Sequence, residues 1–223
     1  MGILAFETSA KAASVALLEG GNLLAESYQN AGLTHSRTIL VMAEHLLQSC
    51  ELTPQDVEAV AVAMGPGSFT GVRIGVATAK GIACGLGVAL YGVSTLDSVA
   101  WRAWRAGVRG RLGVVADAMR KEVYPVRYEL DDAGITRLDP DTVAKPAQVA
   151  QAWAGEEDDI TLTGDGLLKY AEFFEGAPFA FAPEELWLPD GQSLVSAFAQ
   201  AFAMGKAGSG DAAALVPVYT RLS

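Results

Sequence analysis

Gly65-Pro66-Gly67-Ser68-Phe69-Thr70-Gly71-Val72-Arg73-Ile74-Gly75 follows the apolar run 59–64 (AVAVAM) and leads straight into helix-patterned sequence. A strand therefore ends in a tight bend and a helix begins at or just after it. Glycine admits backbone angles closed to other residues, and Pro66 fixes its own φ. Ser68 or Thr70 is placed to cap the helix by accepting a backbone N–H. Two roles suit such a bend. One is a phosphate cradle at a helix N-terminus; the other is a structural turn that lets the next helix pack very closely. Neither G-x-x-x-x-G-K-[ST] nor G-x-G-x-x-G is present, since Val72 and Arg73 follow Gly71 and Thr70 stands where a third glycine belongs. The missing motifs favour the turn.

From the bend onward, Gly71, Gly75, Ala79, Ala83 and Gly87 fall four apart. Residues four apart share one face of a helix, so this stripe permits close approach of another element. Glycine inside a helix costs about 1 kcal/mol relative to alanine, which a closely packed neighbour must offset. Arg73 and Lys80 make the segment too polar for a bilayer, so a soluble helix–helix contact is expected. The preceding helix, expected over 35–49 with Thr34 as its cap, carries five consecutive apolar residues, Ile39-Leu40-Val41-Met42-Ala43. That is more than one amphipathic stripe. The surplus belongs either in a large monomer core or, with the glycine stripe, on a platform offered to another protein.

With 223 residues, 51% apolar and 19% charged, the chain suits one large domain or two small ones and is too hydrophobic for disorder. No apolar run approaches the ~20 residues of a transmembrane helix. The start, Met1-Gly2-Ile3-Leu4-Ala5-Phe6-Glu7, lacks a basic region and meets a carboxylate too early for a signal peptide. Cys50 and Cys84 form neither a disulfide framework nor a metal set. A cytoplasmic protein with reduced thiols is the expectation. The net charge of −10 is concentrated in 151–190 and argues against an autonomous grip on nucleic acid, where phosphate contacts dominate affinity. Trp101 to Arg111 is locally basic, with four arginines and two tryptophans. It reads as an RNA contact or, more commonly, as a helix end with a half-buried Trp pair.

Strands are expected at 3–7, 14–18 and 23–28, the last two joined by a turn at Glu19-Gly20-Gly21-Asn22. A helix at 35–49, a short helix at 54–58, strand 59–64, helix 70–86, strand 88–92 and a helix from Ser94-Thr95 to Trp104 follow. The pattern then recurs. Strands at 112–117 and 122–130 pair, the first closing on an acid as Glu7 closes strand one. A helix at 146–153, a strand at 160–163 and helices at 167–174 and 192–204 complete the chain. A duplicated α/β organisation is expected, split as 1–106 and 107–223 with the C-terminal segment packing back on the first part.

The residues Ile3-Leu4-Ala5-Phe6-Glu7-Thr8-Ser9, then GPGSFTGVRIG at 65–75, Gly92-Val93-Ser94-Thr95-Leu96, Asp117-Ala118 with Glu122-Val123-Tyr124, and Pro217-Val218-Tyr219 resemble the TsaB family in the right order over the whole chain. That family serves the bacterial synthesis of threonylcarbamoyladenosine in tRNA. The resemblance implies an actin/sugar-kinase-like (ASKHA) fold of duplicated ribonuclease-H-like domains. It implies a non-catalytic scaffold that binds the catalytic paralogue TsaD and works with the ATPase TsaE on N6 of the adenosine beside the anticodon. It also implies a homodimer when TsaD is absent, no membrane, and tRNA contact only through the complex.

The resemblance places the partner interface on the two early helices: Arg37, Leu40, Val41 and Glu44 on the first, and Gly71, Arg73, Ile74, Gly75, Thr78, Ala79 and Ile82 on the second. It implies no intrinsic cofactor, with ATP or ADP at the complex interface. Candidate remnants of a nucleotide site are Glu7, Thr8 and Ser9 in the first loop and Asp117, Gly164 and Gly166 in the second half. Two departures from the catalytic relatives stand out. Their His-x-x-x-His metal pair is missing: His35 is followed four residues on by Ile39, and His45 lies roughly 280 degrees around the helix from His35. Glu7 also stands where an aspartate opens the first phosphate loop, without the glycines. The alternative reading is an autonomous ATP-dependent phosphotransferase of the sugar-kinase type working through Glu7, Asp117, Gly164 and Gly166. A protease reading lacks both a metal pair and a His base beside Ser9 or Ser68.

Overall fold

The computed structural model describes residues 2–20, 22–29, 35–155, 159–176, 178–204 and 210–218, with side chains in the first helix from 38 onward. The expected cap Thr34, the turn residue Gly21, the side chains of His35 and Arg37, and Tyr219 lie outside the described residues. The chain divides into two compact units, 1–98 with 189–218, and 99–188.

In the first unit, β1 (Gly2–Glu7), β2 (Ala13–Glu19) and β3 (Asn22–Gln29) form an antiparallel meander. After α1 (His35–Ser49), β4 (Ala59–Ala63) and β5 (Ala89–Val93) add in parallel beside β1. The sheet order is β3-β2-β1-β4-β5. Strands β1 and β4 are buried on both faces, which is why they read as continuous apolar runs rather than alternating ones. Leu4, Phe6, Val60 and Val62 pack with Ile39, Met42, Leu46, Val72 and Val76 of α1 and α2 (Phe69–Leu86). On the opposite face lies α6 (Gly191–Ala203), where Tyr91 stacks on Phe198 at 5.0 Å. The segment expected at 54–58 is a single 3-10 turn, Pro54–Asp56. α3 (Thr95–Arg105) carries the chain across the boundary between the units.

The second unit repeats the plan. Antiparallel β6 (Gly110–Asp117), β7 (Val123–Asp131) and β8 (Gly134–Arg137) are followed by α4 (Pro146–Trp153). Then β9 (Ile160–Thr163) and β10 (Phe179–Phe181) add in parallel, giving the order β10-β9-β6-β7-β8. Strand for strand, this is the order of the first sheet, so the duplication is present at the level of topology. The helix expected at 167–174 is α5 (Leu167–Tyr170) continued by a 3-10 turn. The short strands β8 and β10 were not anticipated from sequence.

The glycine stripe of α2 faces inward. Gly71, Gly75, Ala79 and Ala83 are buried. A Cβ on Gly75 would overlap Thr8 Oγ1, and one on Gly71 would overlap the Thr8 carbonyl oxygen. A Cβ on Gly67 would overlap the Ser9 carbonyl in the same way. Helix α2 thus lies against the loop that leaves β1, and the glycines are what the loop's backbone requires. The assignment of Gly71, Gly75 and Ala79 to a partner interface is therefore corrected: Gly71 and Gly75 lie against this chain's own Thr8, and Ala79 is buried in the core of the first unit. A different set, Ala77, Gly81 and Gly85, is exposed, and a Cβ on Gly81 or Gly85 meets open space.

The two glycine sets predict opposite responses to alanine. Gly75→Ala introduces an overpacked contact and is expected to lower stability by about 1–3 kcal/mol. Gly81→Ala adds helix propensity in open space and is expected to be neutral or stabilising by up to about 1 kcal/mol. Urea unfolding of the two variants checks both signs.

Candidate functional site

The first candidate cluster sits where β1 runs out. Glu7, Thr8 and Ser9 are all buried. Thr8 Oγ1 donates to the Gly71 carbonyl at 2.8 Å, and the Ser68 amide donates to the Ser9 carbonyl at 2.7 Å. Ser68 Oγ caps α2 by accepting from Gly71 N at 3.2 Å, as its sequence position suggested. Gly65 accepts from the Thr95 amide at 3.0 Å, and Met64 bonds both Val93 and Val218. Gly92 leaves room for the Met64 side chain, which explains the glycine of the GVSTL motif. The scattered motif residues at 65–75, 92–96 and 217–218 thus meet at one joint.

Inside that joint the loop satisfies itself. Glu7 Oε1 accepts from the Ser9 amide at 2.8 Å and from the Ser9 hydroxyl, and the Thr8 amide also serves this carboxylate. Two of this loop's amides, those of Thr8 and Ser9, are thus engaged with Glu7. Burial pushes the Glu7 carboxyl up to about 7, the Ser9 bonds opposing it and the nearby Asp190 adding to it. Glu7 Oε2 and Thr95 Oγ1 are buried without hydrogen-bond partners among the described residues.

The second cluster belongs to the other unit. Asp117 ends β6 and forms an ion pair with Lys169, which raises the lysine. The Asp117 amide donates to Asp165 Oδ1 at 2.8 Å, and its Oδ1 accepts from Met119 N at 3.0 Å. Gly164, at φ +114°, and Gly166 lie against the backbone of Val115, where a Cβ would clash. These glycines answer a packing need, as Gly67 and Gly71 do in the first unit. The structure therefore gathers Glu7, Thr8 and Ser9 in one unit and Asp117, Gly164 and Gly166 in the other.

A third feature is the outer face of α1 and α2. Leu40 and Val41 are 53% and 47% exposed, and Phe69 is 56% exposed beneath the guanidinium of Arg73, 3.7 Å away. Glu44 and Arg73 are exposed, while Ile74, Thr78 and Ile82 are half-buried around the open residues Ala77, Gly81 and Gly85. Sequence reading missed these last three because they are offset by two positions from the more conspicuous stripe. The Trp101–Arg111 segment is occupied internally. Trp101 and Trp104 pack edge to face at 4.9 Å, and Arg109 stacks on Trp104 at 4.7 Å. Arg102 donates to the Leu188 carbonyl at 2.6 Å, and Arg111 pairs with Glu129 at 3.0 Å. The helix-end reading fits this stretch better than an RNA contact. Among the described residues no group of His, Cys, Asp and Glu is arranged to hold a metal ion, and no helix is long and apolar enough to cross a membrane.

A family model described as TsaD, tRNA N6-adenosine threonylcarbamoyltransferase, matches residues 28–202. The tRNA threonylcarbamoyladenosine biosynthesis protein TsaB of Escherichia coli is 33% identical over 222 residues, covering 99% of this chain and 95% of that protein. A Pseudomonas aeruginosa crystal structure described as similar to the peptidase YeaZ superposes with a TM-score of 0.87 at 33% identity, covering 99% of both chains. The inorganic polyphosphate/ATP-glucomannokinase of an Arthrobacter strain aligns over 89% of this chain and 99% of its own at a TM-score of 0.50 and 11% identity. That likeness extends to the fold alone, and it agrees with the duplicated sugar-kinase-like architecture.

Glu7 generates a pH prediction. Its folded value of about 7 lies above the ordinary 4.5, so the folded chain binds its proton more tightly than the unfolded one. The stability tied to this group is complete below pH 4.5 and is lost as pH rises through 7. Glu7→Gln is expected to flatten the decline between pH 5 and 8 and to raise the melting temperature most at pH 8. Equal pH slopes for the two proteins in thermal unfolding would contradict the assignment.

Proposed function

Because the chain belongs to the TsaB family of tRNA threonylcarbamoyladenosine biosynthesis proteins, we propose that it acts there as a non-catalytic subunit. The outer face of α1 and α2 docks on a TsaD-type catalytic subunit. That subunit transfers the threonylcarbamoyl group to N6 of the adenosine beside the anticodon, with the ATPase TsaE as a further member. The assembly works in the cytoplasm.

One observation carries the reading. Leu40, Val41 and Phe69 are large apolar side chains left in water on α1 and α2, and α2 also exposes three small residues, Ala77, Gly81 and Gly85, that let a second backbone approach closely. Large apolar side chains exposed on neighbouring helices, with the charged Glu44 and Arg73 on the same helices, are what a partner interface offers. The proposed contact residues are Leu40, Val41, Glu44, Arg73, Ile74, Thr78 and Ile82. Ala77, Gly81 and Gly85 take the role first given to Gly71, Gly75 and Ala79. The same face closes on a second copy of the chain when the catalytic subunit is missing.

Glu7, Thr8 and Ser9 serve the internal joint in this reading, and any ATP or ADP of the assembly binds at the interface between subunits. A sugar-kinase-type phosphotransferase would need Glu7 ionised and within reach of solvent and a metal–nucleotide complex. The residue is 1% exposed, and burial raises its carboxyl to about 7, so the ionised form is disfavoured relative to an ordinary glutamate.

Leu40→Asp and Gly81→Leu each alter the outer face without touching the core. Both are expected to weaken association with the TsaD-type subunit at least tenfold, about 1.4 kcal/mol, with unchanged or higher melting temperature for Gly81→Leu. Gel filtration of the mixture measures this, and normal pairing by both variants would contradict the docking face.

A further inference from the structure

The corresponding hairpins of the two units have opposite fates. The β1–β2 connection folds under the glycines of α2, with Thr8, Ser9, Ala10 and Ala12 buried. The β6–β7 connection does the reverse. Met119, Arg120 and Lys121 take φ values of 60°, 50° and 64°, three successive non-glycine residues in the left-handed region. Such residues are costly and persist only where the surroundings over-determine them. Here the surroundings do so. Asp117 Oδ1 accepts from Met119 N at 3.0 Å, Glu122 N donates to the Met119 carbonyl at 3.0 Å, and Ala118 N donates to the Glu122 carbonyl at 3.0 Å. Asp165 holds the Asp117 amide, and Lys169 holds its carboxylate.

All three side chains on this fastened turn point into water. Met119 is 61% exposed, and Arg120 and Lys121 are exposed. Neither cation has a hydrogen bond or ion pair among the described residues. The arginines at 102, 109, 111, 127 and 137 are by contrast engaged with carbonyls or carboxylates of the second unit. The backbone that carries these two adjacent cations is held before any partner arrives, so binding has only their side chains left to order. An arginine fork and a lysine point charge both suit phosphate oxygens.

We propose that the Met119–Lys121 turn is a phosphodiester contact for RNA, touching the tRNA backbone while the chain is held in its assembly. The inference rests on the family's tRNA role but not on the α1/α2 docking face. RNA is favoured over an acidic protein because the pathway's substrate is itself a polyanion. A chain of net charge −10 gains from two such contacts only as an accessory to a stronger RNA-binding partner.

The test places the photoreactive p-benzoylphenylalanine at Met119 in the full chain in its own cells. Irradiation is followed by denaturing purification and nuclease trimming. A nucleotide adduct on this residue, reduced at least fivefold when Arg120→Glu and Lys121→Glu are added, supports the proposal. No nucleotide adduct, or an adduct to protein alone, overturns it. If the probe disturbs folding, the charge-reversed pair decides by itself through tRNA binding to the assembly purified with this chain. At least a tenfold loss and a log–log salt slope shallower by about 1–2 are expected. Unchanged affinity and slope would overturn the proposal while leaving subunit association, read by gel filtration, untouched.

Discussion

The contact between the Thr8–Ser9 segment and the bare face of α2 is the constraint on which the first unit depends. A strand end carrying a buried glutamate must pass beneath a helix, and only glycine at 67, 71 and 75 leaves the space. The Ser68 amide and the Thr8 hydroxyl then tie the two segments together. Once α2 is seated this deeply, its opposite side is fixed in direction. The residues offset by two positions look outward, and α1 beside it leaves Leu40 and Val41 uncovered. The exposed apolar side chains on that outer side are thus a consequence of the internal joint.

Duplication makes the division of labour visible. Each unit has the same strand order, an acid closing its first strand, and a glycine loop after its fourth. In one unit the acid turns inward and takes up the loop's own amides. In the other, the largely covered Asp117 is clasped by Lys169 and the Met119 amide, and supports an exposed turn. The loop of the first unit is closed upon itself by a side chain one methylene longer than aspartate.

Most of the fold could be read from sequence because local signals and tertiary demands agreed. Pro146 and Trp153 bound a helix, the run 59–64 is a buried parallel strand, and GPGS closes it. The short strands β8 and β10 escaped because four and three residues give no period, although Gly134 and the flanking prolines Pro178 and Pro183 were available as punctuation. The stripe on α2 was found but turned the wrong way. A spacing of four shows which residues share a face; it does not show where that face looks. Val72 and Val76, each next to a stripe glycine, mark the inward side. The left-handed turn at 119–121 left no sequence signal, since Met, Arg and Lys carry no preference for it.

The joint itself is tested most directly by a double-mutant cycle on Thr8 and Gly75. Urea unfolding of Thr8→Ala, Gly75→Ala and the pair gives the coupling between the hydroxyl and the position a Cβ would invade. If the two segments are in contact as described, removing Oγ1 makes room for the new methyl. The pair is then less destabilised than the sum of the single changes by about 1 kcal/mol or more. Strict additivity would mean that the bare face of α2 does not rest on Thr8.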